Sequence, residues 1–146
     1  ALPISAEKLT KESMELRLAV GPFNRWLGFE VMKLGDGELE LKASWREDWV
    51  LHAVRGHTHS GILAAIVDVA ADYVIAAELG DHVPTIDLRV DFHKPAMRGD
   101  LTAKSKIVRL GSNYSTAEAY VYDKEGGLVA SGRGTYFTAA VRRQVG

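Results

Sequence analysis

Hydrophobic and polar positions change period several times along this chain, and each change marks an element. Residues 5–19 carry an imperfect apolar stripe, Leu9, Leu16 and on to Val20, behind Ser5 as N-cap with Glu7 and Lys8 in the first turn. Gly21-Pro22 ends that helix. Phe23, Trp26 and Leu27 fit one further helical turn, closing near Gly28. The period then falls to two. Leu39, Leu41, Ala43 and Trp45 alternate with Glu38, Glu40, Lys42 and Ser44, which predicts a strand with one wet face. The Gly35-Asp36-Gly37 turn joins it to a strand at 29–34. Residues 60–79 are apolar on every side and rich in alanine, too long for a strand, so they predict a buried helix stopped by Gly80. After Pro84, Ile86, Leu88, Val90 and Phe92 alternate with Asp87, Arg89, Asp91 and His93. Strands at about 101–109, 114–123 and 128–138 follow, separated by Gly111-Ser112-Asn113 and Gly126-Gly127, turns short enough to imply antiparallel neighbours.

The order helix, two strands, buried helix, four strands predicts an α+β fold, a six-stranded antiparallel sheet curled round one central helix. One sheet cannot enclose such a helix, so its uncovered side predicts a homo-oligomer, most simply a twofold dimer. No repeat or linker divides the chain. The expectation is a single domain over residues 1–146, with 1–21 as an N-terminal helical extension and 22–140 as the core.

The 146 residues contain no cysteine, which removes disulfides, thiolate nucleophiles and cysteine-ligated metals. A net charge of −1 gives no basic excess for nucleic acid. The longest uncharged run, residues 56–67, falls short of the ~18 apolar residues a membrane span needs. No basic segment with an apolar stretch opens the chain, so no secretory signal is expected and the location expected is the cytoplasm. Arg142 and Arg143 read as solvated tail.

Polar residues concentrate at the start of the apolar helix: His52, His57, His59 and Ser60, then Asp68 and Asp72 within it. Two carboxylates on an apolar helix are costly to bury, and at a separation of four they share one side. Burial and mutual repulsion would raise at least one pKa, as a general base or nucleophile requires. The other reading is that both accept hydrogen bonds from strand backbone or a neighbouring side chain. At the helix start, the unpaired N–H groups of Ser60 and Gly61 could hold a developing oxyanion, or belong to an ordinary start capped by His59 or Ser60. Ser60 and Asp68 lie ~12 Å apart along a helix, so one carbonyl cannot meet both within a chain. If both act on it, they come from two copies packed antiparallel. The histidine spacing is not that of a zincin, and the Ser60 flank is not G-x-S-x-G, so neither metal nor serine nucleophile is expected.

The stretch Gly56-His57-Thr58-His59-Ser60-Gly61-Ile62-Leu63-Ala64-Ala65-Ile66-Val67-Asp68, in this order of elements, resembles the hotdog-fold acyl-CoA thioesterases. The subfamily it is most similar to is the phenylacetic-acid-degradation type, related to 4-hydroxybenzoyl-CoA thioesterase. His59 matches the motif histidine, and Asp68, nine positions on, matches the catalytic acid. The strand Thr85-Ile86-Asp87-Leu88 and the Pro95 to Asp100 turn fit as well, and Thr85 falls where some members place a hydroxyl near the catalytic water. The chain departs from the pattern twice. Ser60 replaces the first glycine after the histidine, and Ala53 replaces the family's Asn or Gln, with His52 or His57 beside it as substitutes.

The resemblance implies a homodimer or homotetramer with shared active sites, acting on acyl-CoA with no cofactor beyond the CoA of the substrate and no nucleic-acid or membrane partner. Ser60 and Gly61 N–H would polarise the thioester carbonyl. Asp68 of the partner chain would activate water or attack directly. His59, Thr85, Asp72 and His52 would support them, and Arg98, Arg109, Gly111 and Ser112 would meet the CoA phosphates. A hotdog enoyl-thioester hydratase or dehydratase, a non-catalytic acyl-CoA binder and a structural subunit are the alternatives.

Overall fold

The computed structural model describes residues 7–141. Ser5, Arg142 and Arg143 lie outside the described residues. The first helix, α1, is Lys11–Val20, so it begins later than the apolar stripe predicts. Thr10 and Ser13 explain the start, each accepting the other's backbone N–H, at 3.1 and 2.8 Å. Before them the Leu9 N–H is drawn to the Ala77 carbonyl at 2.8 Å, away from helical pairing. Gly21 separates α1 from α2 (Pro22–Leu27), and Gly28 ends α2 in the left-handed region at φ 69°.

Six strands follow the predicted pattern: β1 (Phe29–Gly35), β2 (Glu38–Ala43), β3 (Thr85–Phe92), β4 (Leu101–Arg109), β5 (Tyr114–Tyr122) and β6 (Leu128–Phe137). They form one sheet of order β1-β2-β4-β5-β6-β3 with antiparallel pairing throughout. The long helix α3 spans Ser60–Leu79, as its composition predicts, and packs on the inner face of the sheet. That face is built from alternate, mostly small residues in register. Ser105 stands opposite Leu39 and Ala119, and Ala119 opposite Gly132. Small side chains let the helix sit close. Ser105 Oγ reaches the Ala70 carbonyl at 2.7 Å, and a Cβ on Gly132 would collide with the Arg89 carbonyl and lie 2.7 Å from Val67 Cγ1. Among the described residues, no helix is long and apolar enough to cross a membrane.

Strand β3 departs from the expectation of one buried face. Leu88 and Val90 are half-buried, but Ile86 and Phe92 stay 57% and 51% exposed. The reason is position: β3 ends the sheet order, and among the described residues its free edge has no neighbouring strand.

Candidate active site

Asp68 lies near the middle of α3, the ninth of its twenty residues, facing the end of the sheet where β3 begins and β6 finishes. Thr85 and Tyr136 are cross-strand partners there. Both deliver a hydroxyl to the same carboxylate oxygen: Thr85 Oγ1 donates to Asp68 Oδ1 at 3.0 Å, and Tyr136 OH donates to it at 3.0 Å. Tyr136 OH also lies 3.2 Å from the Asp68 carbonyl. Two donors on Oδ1 fix the carboxyl plane and leave Oδ2 to act on something else. Tyr136 is fully buried, and burial first, then the Asp68 charge, drives its phenol far above the usual range, so it remains a donor. Thr85 thus stands against the acid itself. Tyr136 was not foreseen from the sequence. The signal available was Gly134 two positions earlier, since a Cβ there would occupy the space of the Tyr136 ring and hydroxyl.

One turn on, Asp72 Oδ1 accepts the Val83 N–H at 3.1 Å. Burial, reinforced by the charges of Asp68 and Asp81 and opposed by the Val83 N–H, pushes the Asp72 carboxyl up to about 8. Asp72 thus carries the kind of upward shift expected of a carboxyl buried on this helix. Both line a cavity of about 730 Å³ between α3 and the α1–α2 pair, with Val20, Phe23, Ala65 and Val69 among its apolar walls. Arg17 of α1 closes one side through Asp81 at 2.6 Å, and His82 Nδ1 lies 3.1 Å from the same Asp81 oxygen. This N-terminal wall was also not foreseen, because nothing local in α1 or α2 shows that they border the acids. A smaller hollow of about 430 Å³, lined by Lys33, Glu40, Lys104 and Tyr120 among others, contains neither acid.

The start of α3 is a separate cluster. The helix is anchored by Thr58 N–H to the Ala96 carbonyl at 2.7 Å and His59 N–H to the Trp49 carbonyl at 2.8 Å. His59 is the N-cap. Its Nδ1 accepts the Gly61 N–H at 2.8 Å, so that donor is engaged by the protein itself. A Cβ on Gly61 would stand 3.0 Å from the same ring nitrogen, which explains glycine there. The exposed Ser60 N–H makes no hydrogen bond among the described residues. His52 belongs to the preceding loop and caps its own turn, Nδ1 accepting from Val54 and Arg55 N–H at 3.2 and 3.4 Å. His57 contributes its carbonyl to Leu51 N–H at 2.7 Å.

Arg98 holds that loop. It grips Glu47 through Nε and Nη2 at 2.7–3.1 Å and donates from Nη2 to the Ala53 carbonyl at 2.7 Å. Its guanidinium holds the Glu47 carboxyl below the usual carboxylate range. Arg109 lies at the other end of β4, ~25 Å from the turn that carries Arg98 at ~3.3 Å per strand residue. There Arg109 Nη1 donates to the Tyr114 carbonyl at 3.3 Å, Gly111 N–H is taken by Ser115 Oγ at 3.0 Å, and Ser112 is exposed. Within one chain the four residues expected at CoA phosphates therefore fall into two groups rather than one patch.

Comparison with known proteins gives the family. A sequence profile of the thioesterase superfamily matches residues 55–130, which span the start of α3 to the start of β6. A solved structure of a thioesterase-superfamily protein is 42% identical, superposes with a TM-score of 0.80, and is matched over 86% of this chain and 98% of that one. The medium/long-chain acyl-CoA thioesterase YigI of Escherichia coli is 28% identical over 148 aligned positions, covering 91% of this chain and 96% of YigI. The Escherichia coli PaaI protein, from the phenylacetic acid degradation operon, shares the fold at a TM-score of 0.77 and 17% identity, over 86% of this chain and 90% of PaaI. The profile begins at the loop Arg98 grips and takes in both the helix start and the acids. By sequence and by fold, this chain belongs to the thioesterase superfamily and has its hotdog architecture.

Proposed function

We propose that this protein hydrolyses acyl-CoA thioesters to free acid and CoA. The observation that carries the reading is Asp68: a carboxylate on an apolar helix, oriented through Oδ1 by two hydroxyls, on a residue that lines a cavity large enough for an acyl group. Kinship with an acyl-CoA thioesterase supports the substrate class. The carbonyl oxygen of the thioester takes the Ser60 N–H at the positive end of α3. Gly61 serves by leaving room for the His59 cap rather than by donating. Asp68 Oδ2 takes a proton from water as the oxygen of that water bonds to the carbonyl carbon. The C–S bond then breaks, and the sulfur leaves as the CoA thiol with that proton.

Ser60 and Asp68 of one chain are too far apart to serve one carbonyl, so each site joins the helix start of one protomer to Asp68 of its partner. The open edge of β3, with Ile86 and Phe92 exposed along it, supports pairing of two sheets there. The CoA arm runs over the surface, where Arg98 stands on the helix-start side and Arg109 and Ser112 on the Asp68 side. This cross-chain arrangement lets groups at opposite ends of β4 meet one substrate.

The test is release of CoA thiol from a panel of aryl and aliphatic acyl-CoAs, read colorimetrically. Asp68→Asn keeps a hydrogen-bond acceptor for Thr85 and Tyr136 but removes the base, and release should fall by roughly a thousandfold or more. Near-wild-type release from that variant sinks the mechanism. Direct attack by Asp68 instead of water gives a different isotope result. After a single turnover in ¹⁸O-water, label in Asp68 shows direct attack with the anhydride opened at the Asp68 carbonyl, which general-base catalysis cannot give.

A further inference from the structure

We propose that Asp72 determines which acyl groups this enzyme accepts, selecting an uncharged acyl group that carries a hydroxyl or carbonyl oxygen beyond the thioester over a plain hydrocarbon chain of equal length. The inference rests on the thioesterase reading and adds a substrate class to it.

The geometry comes first. Asp72 follows Asp68 by one turn, ~6 Å along α3, and lines the same cavity. A group reaching from the thioester at Asp68 into that cavity passes Asp72. Its Oδ1 is taken by the Val83 N–H at 3.1 Å, while Oδ2 has no hydrogen-bond partner among the described residues. Charged and titratable groups face it from every neighbouring element. Asp68 and Tyr73 lie on α3, Tyr136 comes from β6, Asp81 and His82 follow α3, and Arg17 comes from α1. From α2 comes Asn24, which is uncharged. The one cation among them, Arg17, is directed to Asp81 at 2.6 Å.

Protonation gives this oxygen its character. With a carboxyl pushed up to about 8, Asp72 carries its proton at neutral pH, and the proton sits on Oδ2 because Oδ1 is accepting. The result is an O–H donor on a residue that lines the cavity together with Ala65, Val69 and Phe23. Such a donor needs an acceptor, and a hydrocarbon chain supplies none. An oxygen on the acyl group does. A site built round a buried hydrogen bond rejects the analogue that lacks it, because the donor is then left unpaired. Asp68 and Asp81 oppose a carboxylate at the same place, which restricts the group to neutral ones.

The experiment compares kcat/KM for octanoyl-CoA with that for octanoyl-CoAs hydroxylated at successive carbons. Wild type is expected to prefer at least one hydroxylated isomer by about tenfold or more. The preference should fade between pH 7 and 9 as Asp72 loses its proton. Asp72→Asn keeps a donor of the same shape, so the preference should persist and lose that pH dependence. Asp72→Leu should abolish it, read as the ratio of kcat/KM between the hydroxylated and plain substrates. Equal kcat/KM across the set with wild type, or an undiminished preference in Asp72→Leu, overturns the assignment and leaves the thioesterase reading intact. Absence of CoA release from every member overturns both.

Discussion

At the scale of single residues, the chemistry turns on how two carboxyls four positions apart acquire different environments. Asp68 meets two hydroxyl donors; Asp72 meets one backbone N–H and a largely apolar wall. Tyr136→Phe removes one donor from Asp68 without changing the volume of the core. It should lower kcat by about 10–100-fold with little effect on KM, the scale expected for losing a hydrogen bond to a charged group. Steady-state kinetics on the best acyl-CoA checks this. Asp72 makes a prediction about stability. Its carboxyl shifts from 3.8 to about 8 on folding, so between those values the folded chain holds a proton that the unfolded chain has released. Stability therefore declines through this group as pH rises from about 4 to 8, and the full deficit stands above pH 8. Asp72→Asn should be more stable than wild type at pH 9 by on the order of 1–3 kcal/mol, less than the full linkage value because the cavity is open to water. The two proteins should unfold alike near pH 4. Thermal melts across pH decide it, and parallel curves would refute the assignment.

Elements decide whether these residues meet. The acids could be located on α3 from sequence because a carboxylate on an all-apolar helix stands out. Thr85 could be placed near them only through the resemblance, and Tyr136 not at all. Its contact with Asp68 depends on the β3–β6 register, which no local pattern specifies. Gly134 is the device that makes room for its ring. Gly134→Ala should therefore displace the phenol, costing about 1–3 kcal/mol from overpacking and lowering kcat alongside Tyr136→Phe. Unchanged stability and turnover would show that the ring has space to spare. The His59 cap was one of the two readings open at the helix start, and the engaged Gly61 N–H is its consequence. Helix α1 shows the converse case. A stripe from Leu9 predicts an earlier start, but the Thr10–Ser13 pair and the Leu9–Ala77 hydrogen bond hold residues 7–10 out of the helix.

For the whole molecule, the proposed pairing of two protomers with antiparallel α3 helices would both cover the exposed edge of β3 and bridge the ~12 Å between helix start and acid. Placing Lys at both Ile86 and Phe92 puts charge on that edge without touching Asp68, Ser60 or His59. Sedimentation should show the variant shifting toward monomer, and CoA release should fall in parallel as the shared sites come apart. A monomer with full activity would mean that each chain carries a complete site.

Periodicity, composition and turn residues together determined the α+β class, the limits of α3 and the six strands, since burial of one face imposes a period of two on a strand and burial on all sides leaves a helix with few polar positions. The motif spacing picked out Asp68 and His59. Tertiary structure decided what those residues do. It turned Thr85 and Tyr136 onto one oxygen of Asp68, gave the Gly61 N–H to His59, and separated Arg98 from Arg109 along β4. It also brought α1 and α2 over the acids to form a cavity. Each of these depends on contacts between segments far apart in the chain, set by sheet register and helix packing, and local sequence carries no record of either.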